Sequence, residues 1–584
     1  MLTSFSSELT PEYFYICNTY TGKVNNKKKQ PIKQPPKKVV AAPPKPTRDY
    51  HLILLWVIIV AVSLIRYRLL NVPFERDEGE YGYIGSLMLH GVPPFKDAYS
   101  MKLPGTSFMY AVLMLIFGHT SRGVHFGVLF VNAATMYFLY NAFKKIFNSF
   151  VGLATATVYG FMAIGLVFDG FAAHATHFIC FYSSIALVFL ADFMKSGKTT
   201  KTFLCGLMLG MAFLMKQQAV FLLLFGGLFL FIFMKFEKKQ SLLEIFKKMV
   251  VYGVGVFIPY LLVVLIVIVT GQFHSFWLWT VEYASTYEKV KTLEGIGILF
   301  DSTFLPAWQY YYYLWVVGVA GLVVLYWSPY TRLQKQFALF YFLGAACVMS
   351  AGFYFRPHYL IAIFPAIGLM TGIFIEFLVV RIRRGMKVLK SPVIPFLFLF
   401  AIILITLYVN KDYFFSYSPR EVCNIAYWGN AFNEAPEIAK FIRSDTHDTD
   451  KIAIMGSEPE IYFYANRMAA TGYLYTYPLV EDQPYNIMMQ DEMMHEIEKN
   501  KPAYLIFCNI SFSWLFRPGS PTMIFNWGTK YSGDNYMPVG FADFYSNTGW
   551  TIYWKEAIQE RKPGGQPDSY IVILKRKPEP NYKL

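Results

Sequence analysis

Long apolar runs separated by short polar stretches fill the first 410 positions of this chain. A bilayer core of about 30 Å takes about 20 helical residues. Eleven runs approach that length: 51–69, 122–143, 150–168, 177–194, 203–215, 219–234, 250–270, 309–328, 337–354, 358–380 and 392–410. The run Thr106–Phe117 is also apolar but short, and reads as a helix lying in the outer interface. The neighbours 203–215 and 219–234 are short as well. The tripeptide Lys216-Gln217-Gln218 between them is therefore expected below the outer surface, where a cation is a functional signal.

After Asn410 charge density rises and apolar runs shorten. KIAIMG (451–456), PAYLIFC (502–508), GWTIYWKE (549–556) and SYIVILKR (569–576) read as strands. PEIAKFIRS (436–444) and EMMHEIEKN (492–500) read as helices preceding the first two. The fold class is a polytopic α-helical membrane protein of about eleven spans with a C-terminal α/β domain, 411–584, containing some parallel sheet.

Composition agrees. Of 584 residues, 55% are hydrophobic and 16% charged, and mean hydropathy is +0.35. A soluble chain could not cover that apolar surface with polar groups. Disordered, collagen-like and disulfide-scaffold classes are excluded by the same figures. The six cysteines form no CxxC; an oxidising compartment would permit a Cys423–Cys508 disulfide. The net charge of +15 does not mark a nucleic-acid face. Residues 1–410 carry 36 basic and 17 acidic groups, whereas 411–584 carry 17 and 21.

Topology explains the excess. With the N-terminus inside, 17 of the 27 basic residues between 51 and 410 fall in short inner loops, and ten of the 14 acidic ones fall outside. Counting Thr106–Phe117 as a span would reverse every later loop, so the positive-inside rule favours eleven. The Lys- and Pro-rich stretch 1–48 reads as a disordered basic cytoplasmic tail. The first apolar run begins too far in for a signal peptide. Residues 49–410 form the membrane domain, and 411–584 lie on the opposite side from the N-terminus. The location expected is the inner (plasma) membrane.

Candidate chemistry gathers on that outer side. The first outer loop, NVPFERDEGEYGYIGSLMLHGVPPFKDAYSMKLPGTS (71–107), packs Glu75, Asp77, Glu78 and Glu80 into six positions, with Asp97 and Lys102 following. A carboxylate partly desolvated at the membrane edge can serve as a general base, because burial raises its pKa. The second outer loop holds Asp169, His174 and His177. Its histidines at i and i+3 share a helix face and, with Asp169, offer a divalent-metal set. Lys102, Lys216 and Arg356 reach the same side, with His358 beside the last. Three cations meeting an acidic cluster suit a phosphate-bearing substrate.

The first loop closely resembles that of C-type (GT-C fold) glycosyltransferases, nearest the branch of protein O-mannosyltransferases and lipid A aminoarabinose transferases. The matching elements are Asp77-Glu78, Pro94-Phe95-Lys96-Asp97 and Lys102-Leu103-Pro104. Weaker matches follow at Arg122, Lys216-Gln217 and His358-Tyr359 with Pro365. The resemblance runs over about residues 71–370 and marks the loop 71–121 as catalytic. It implies transfer of a monosaccharide from a polyprenyl-phosphate donor, such as undecaprenyl phosphate, to a hydroxyl of a lipid, glycan or protein acceptor, with inversion. Asp77 would be the base. Glu78, Lys102, Lys216, Arg356 and His358 would hold the donor, and Asp97, Asp169 and His174 would support the site. Two departures stand out. His174 and Thr176 replace an Asn and a Glu of many relatives, and Met101 stands where aminoarabinose transferases carry Glu. Two other classes remain open. A transporter of a lipid-linked sugar would show paired discontinuous helices in matching halves, and an O-antigen-ligase-like enzyme would lack the first-loop series.

Overall fold

The computed structural model describes residues 49–287, 292–385, 391–561 and 566–578. The expected tail 1–48 lies outside them. The membrane part begins with α1 (Tyr50–Arg68). The segment after it folds into α2 (Arg76–Leu89) and α3 (Gly105–Phe117). Then come α4 (Ser121–Ile146), α5 (Ser149–Met162), α6 (Ala175–Ser196) and α7 (Thr199–Met215). They are followed by α8 (Val220–Ile232), α9 (Leu242–Val269), α10 (Leu293–Val324), α11 (Arg332–Ser350), α12 (Phe364–Gly385) and α13 (Ile394–Val409).

Each of the eleven expected spans coincides with one of these helices. With their short 3₁₀ and π extensions, α1, α4, α6, α8, α9, α10, α11 and α12 are long and apolar enough to cross a membrane; α3, α5, α7 and α13 are shorter apolar helices. The chain is thus a multi-pass membrane protein. Helix α10 starts well before the expected 309 and bends at Tyr311, whose φ of −136° interrupts the helix. Polar caps set several starts: Thr120 accepts from Gly123 N, and Asn148 from Phe150 N and Val151 N.

Within apolar surroundings helices associate by close packing, which small residues permit. Helices α7 and α9 show this. A Cβ on Gly206 would stand 2.3 Å from Tyr252 O, and one on Gly255 2.4 Å from Phe203 O. The first loop is fastened the same way. A Cβ on Gly105 would stand 2.4 Å from Leu214 O, and Thr106 Oγ1 donates to Met215 O (2.8 Å). The start of α3 is thereby pinned to the end of α7.

The C-terminal domain runs α14 (Ala435–Ser444), β1 (Lys451–Met455), α15 (Pro459–Ala465), β2 (Met468–Ala469) and α16 (Asn486–Asn500). It continues with β3 (Tyr504–Asn509), α17 (Met523–Asn535), β4 (Tyr536–Tyr545), β5 (Gly549–Trp554) and β6 (Ser569–Arg576). The six strands form one sheet in the order β2-β1-β3-β6-β4-β5. β1 pairs parallel with β2 and β3, and the remaining pairs are antiparallel. Ile452, Ile454, Leu505, Ile506, Ile571 and Ile573 fill its core. Cys423 and Cys508 are buried free thiols, so the disulfide considered above is not formed. Cys423 lies on the short helix Pro419–Ala426, and Cys508 is engaged in β3.

Candidate active site

Helix α2 organises the site through its faces. Glu75 caps it, accepting from Glu78 N (2.9 Å). Asp77 and Glu78 stand in the first turn, where the helix dipole favours negative charge. Positions three and four apart share a helix face. Asp77, Glu80 and Tyr81 therefore line one side, and Lys102 meets all three. Its Nζ donates to Asp77 Oδ1 (2.7 Å) and to Glu80 Oε2, and lies 4.6 Å from the Tyr81 ring centroid. Glu78 points elsewhere and is fully buried. Its Oε1 accepts from Ala173 N (2.6 Å) and Tyr110 Oη (3.3 Å) and pairs with His125 Nε2 (2.8 Å). Those bonds tie the first loop to α4 and to the second loop. A third face carries Gly79, where a Cβ would meet Glu460 N at 2.4 Å, so α15 rests directly on α2.

Electrostatics follow from this arrangement. Burial alone would push the Asp77 carboxyl up, but the neighbouring cations, Lys102 foremost, hold it well below the usual carboxylate range. Asp77 thus stays ionised at every physiological pH. Glu75 moves the other way, raised well above its ordinary value by burial and then by the charges of Asp77 and Glu78. Burial also lifts Asp169 to about 7 and pushes His174 down to about 4.

The expected cations converge. Lys216, at the break between α7 and α8, lies within electrostatic reach of Asp77, Lys102 and Arg356, and its Nζ is 3.8 Å from the Tyr359 ring centroid. Gln217 Nε2 donates to Met101 O (3.1 Å), which binds this break to the Lys102 loop. Arg356 is exposed at the rim, and His358 is buried behind it. Asp97 is set apart, its charge falling on Tyr83 and Tyr99. Arg122 is exposed in the first turn of α4, while His125, one turn on, is the residue that reaches Glu78.

The expected metal set is corrected by the fold. Among the described residues, the group with converging donor atoms is Asp77, His174 and His358, whose ligand atoms lie within 4.8 Å of one another. Asp169 and His177 are not part of it. Asp169 ends a 3₁₀ turn in a left-handed conformation, and His177 is buried one helical turn beyond His174. The His174 and His358 rings stack at 3.9 Å. Both His174 ring nitrogens are buried without a hydrogen-bond partner. Two imidazoles and a carboxylate, with both His174 nitrogens unpartnered, fit a divalent cation such as zinc.

Next to the cations opens an apolar cavity of about 1160 Å³. Leu103 and Gln217, the direct chain neighbours of Lys102 and Lys216, line it together with Phe213, Leu224, Tyr260 and Cys347. It lies among α7, α8, α9 and α11.

Four further side chains meet the site: Glu80, Tyr81, His125 and Tyr359. Tyr475 comes from the C-terminal domain, and its Oη donates to Asp77 Oδ1 (2.9 Å). Period along α2 could have singled out Glu80 and Tyr81; nothing local marks Tyr475.

Residues 101–269 match the family model described as dolichyl-phosphate-mannose-protein mannosyltransferase. No curated protein matches the chain. Among solved structures, the Archaeoglobus fulgidus oligosaccharyltransferase in the apo form superposes with a TM-score of 0.52 at 12% identity, covering 90% of this chain and 76% of that one. The same organism's oligosaccharyltransferase AglB, in complex with an inhibitory peptide and a dolichol-phosphate, gives 0.50 at 11% identity over 89% and 75%. ArnT from Cupriavidus metallidurans bound to undecaprenyl phosphate gives 0.49 at 13% identity over 79% and 94%. The chain has the GT-C fold that its first-loop motifs led us to expect.

Proposed function

We propose that this protein is a membrane glycosyltransferase that moves a monosaccharide from a polyprenyl-phosphate donor to an acceptor hydroxyl, on the side of the membrane where the C-terminal domain sits. The carrying observation is the large apolar cavity lined by Leu103 and Gln217, the chain neighbours of the site cations Lys102 and Lys216. A ligand with a long apolar tail and an anionic head fits that combination. The matched family description and the dolichol-phosphate held by the archaeal neighbour support the same class of donor.

In this reading the tail fills the cavity, and the phosphate lies among Lys102, Lys216 and Arg356. The acceptor hydroxyl oxygen attacks the anomeric carbon as the bond to the phosphate oxygen breaks. The electron pair leaves with the phosphate and the hydroxyl proton passes to Asp77. In-line displacement inverts the anomeric centre. The leaving phosphate gains a negative charge, which the surrounding cations stabilise most in the transition state. Donor binding also releases the base. As the phosphate draws Lys102 away, Asp77 loses the cation that depresses its basicity. A divalent cation held by Asp77, His174 and His358 would add Lewis-acid charge neutralisation. The C-terminal domain faces the extracytoplasmic side of the inner membrane, consistent with the basic loops on the opposite face.

The test is transfer by purified protein from a panel of polyprenyl-phosphate monosaccharides, with an envelope extract as acceptor. Wild type should release polyprenyl phosphate in step with product, and Asp77→Asn should release none while remaining folded. Turnover by Asp77→Asn near the wild-type rate would remove Asp77 as base. Activity restricted to diphosphate-linked oligosaccharides would replace the donor assignment.

A further inference from the structure

The C-terminal domain reaches into the candidate site at one side chain. Tyr475 Oη donates to Asp77 Oδ1 at 2.9 Å, the same oxygen that Lys102 Nζ approaches to 2.7 Å. The Tyr475 ring also lies 5.2 Å from Lys102 Nζ. No hydrogen bond among the described residues uses Asp77 Oδ2. Two donors on one carboxylate oxygen fix the rotation of the group and leave its second oxygen for a substrate.

The segment carrying Tyr475 is held rigidly on both sides. Before it, Tyr99 N donates to Gly472 O (2.7 Å), and Glu496 accepts from Thr471 Oγ1 (2.6 Å) and Gly472 N (3.0 Å). A Cβ at position 472 would stand 2.5 Å from the Tyr99 ring, so only glycine allows this approach. After it, Thr476 N donates to Ser457 Oγ (2.9 Å) and Tyr477 Oη to Phe512 O (2.8 Å). Arg76, directly before Asp77, is clamped by the same domain: it donates to Ser457 O, to Asn430 Oδ1 (3.2 Å) and to Glu458 Oε1 (3.0 Å). Both ends of the Tyr475–Asp77 bond therefore rest on one frame.

We propose that Tyr475 is a positioning residue for the transfer step, holding Asp77 Oδ1 in place when the donor phosphate draws Lys102 away. This rests on the glycosyltransferase reading above. Without Tyr475, Asp77 would lose both its partners at the moment it must face the acceptor. Preorganisation of this kind affects the rate of the step more than donor binding.

Tyr475→Phe keeps the ring over Lys102 and removes only the hydroxyl. Its kcat should fall roughly tenfold or more, the usual effect of losing a hydrogen bond to a charged group, while the donor KM stays within about twofold. Tyr475→Leu also removes the ring from Lys102, and its donor KM should rise by roughly twofold to fivefold in addition. A Phe variant with wild-type kcat would overturn the proposal, as would equal losses in both variants accompanied by a lowered thermal midpoint. A fluorotyrosine placed at 475 reads the contact without turnover. Its ¹⁹F resonance should shift in Asp77→Asn and again on adding undecaprenyl phosphate to the wild-type background; a resonance that moves in neither case overturns the proposal. If wild type transfers from no donor, the functional reading fails, and the fluorine signal still decides whether Tyr475 holds Asp77.

Discussion

At the scale of single residues, Lys102 carries more of the site than any other group. It bridges Asp77 and Glu80, and these carboxylates hold its ammonium well above the usual lysine range despite burial. It therefore stays charged for a phosphate at any working pH. Removing it leaves Glu80, only 1% exposed, as a buried carboxylate without its cation, so Lys102→Ala has two costs. Donor kcat/KM should drop roughly 100- to 1000-fold, the range seen when a fixed electrostatic stabiliser is lost, with a clear rise in donor KM. Lys102→Arg should recover part of this, because charge persists while the fork geometry differs. Donor kinetics unchanged in Lys102→Ala would mean that the phosphate binds elsewhere. Asp77 and Lys102 were legible because both lie in one short loop with a specific motif. Tyr475 was not, because 398 positions separate it from Asp77 and only the folded chain joins them.

At the scale of elements, apolar run length located a helix at each of the eleven expected spans, eight of them long and apolar enough to cross a membrane, because run length is a signal that survives reading by eye. The C-terminal strands β1, β3, β5 and β6 were equally legible from their β-branched and aromatic runs. β4 was missed because Pro538 and Gly540 interrupt its pattern, and the ladder itself slips register there. β2 has two residues and offers no period. Close approaches between helices were invisible too, because a glycine looks the same whether it is crowded or open. The contrast between Gly105 and Gly253 tests this. A Cβ at 105 collides with the backbone of Leu214, whereas one at 253 meets nothing within 4 Å. Gly105→Ala should cost about 1–3 kcal/mol by overpacking and weaken donor use, since the α3–α7 contact sets the distance between Lys102 and Lys216. Gly253→Ala, in the middle of α9, should be neutral or slightly stabilising. Thermal unfolding in detergent, compared side by side, decides it; equal midpoints for the two variants would refute the packing argument.

At the scale of the whole molecule, buried titratable groups make stability depend on pH in opposing senses. Glu434 stands directly before α14, with Oε1 accepting from Arg420 (2.8 Å) and Oε2 buried without a partner. Burial lifts it from the ordinary value to about 7, with Arg420 pulling the other way. Its folded pKa lies above its unfolded one, so its stabilising contribution is full below about 4.5 and is lost as pH rises to about 7. Above that pH the folded protein carries a buried carboxylate that costs up to about 3 kcal/mol. His174 acts in the reverse sense. Its pKa is pushed down to about 4, so stability is lost as pH falls below its unfolded value. The total pH profile mixes these terms, but the difference between wild type and Glu434→Gln isolates one. The two should unfold alike near pH 4, where Glu434 is protonated in both folded and unfolded chains, and the variant should be more stable by about 1–3 kcal/mol at pH 8. A difference that does not change between pH 4 and 8 would show that Glu434 does not titrate in that window.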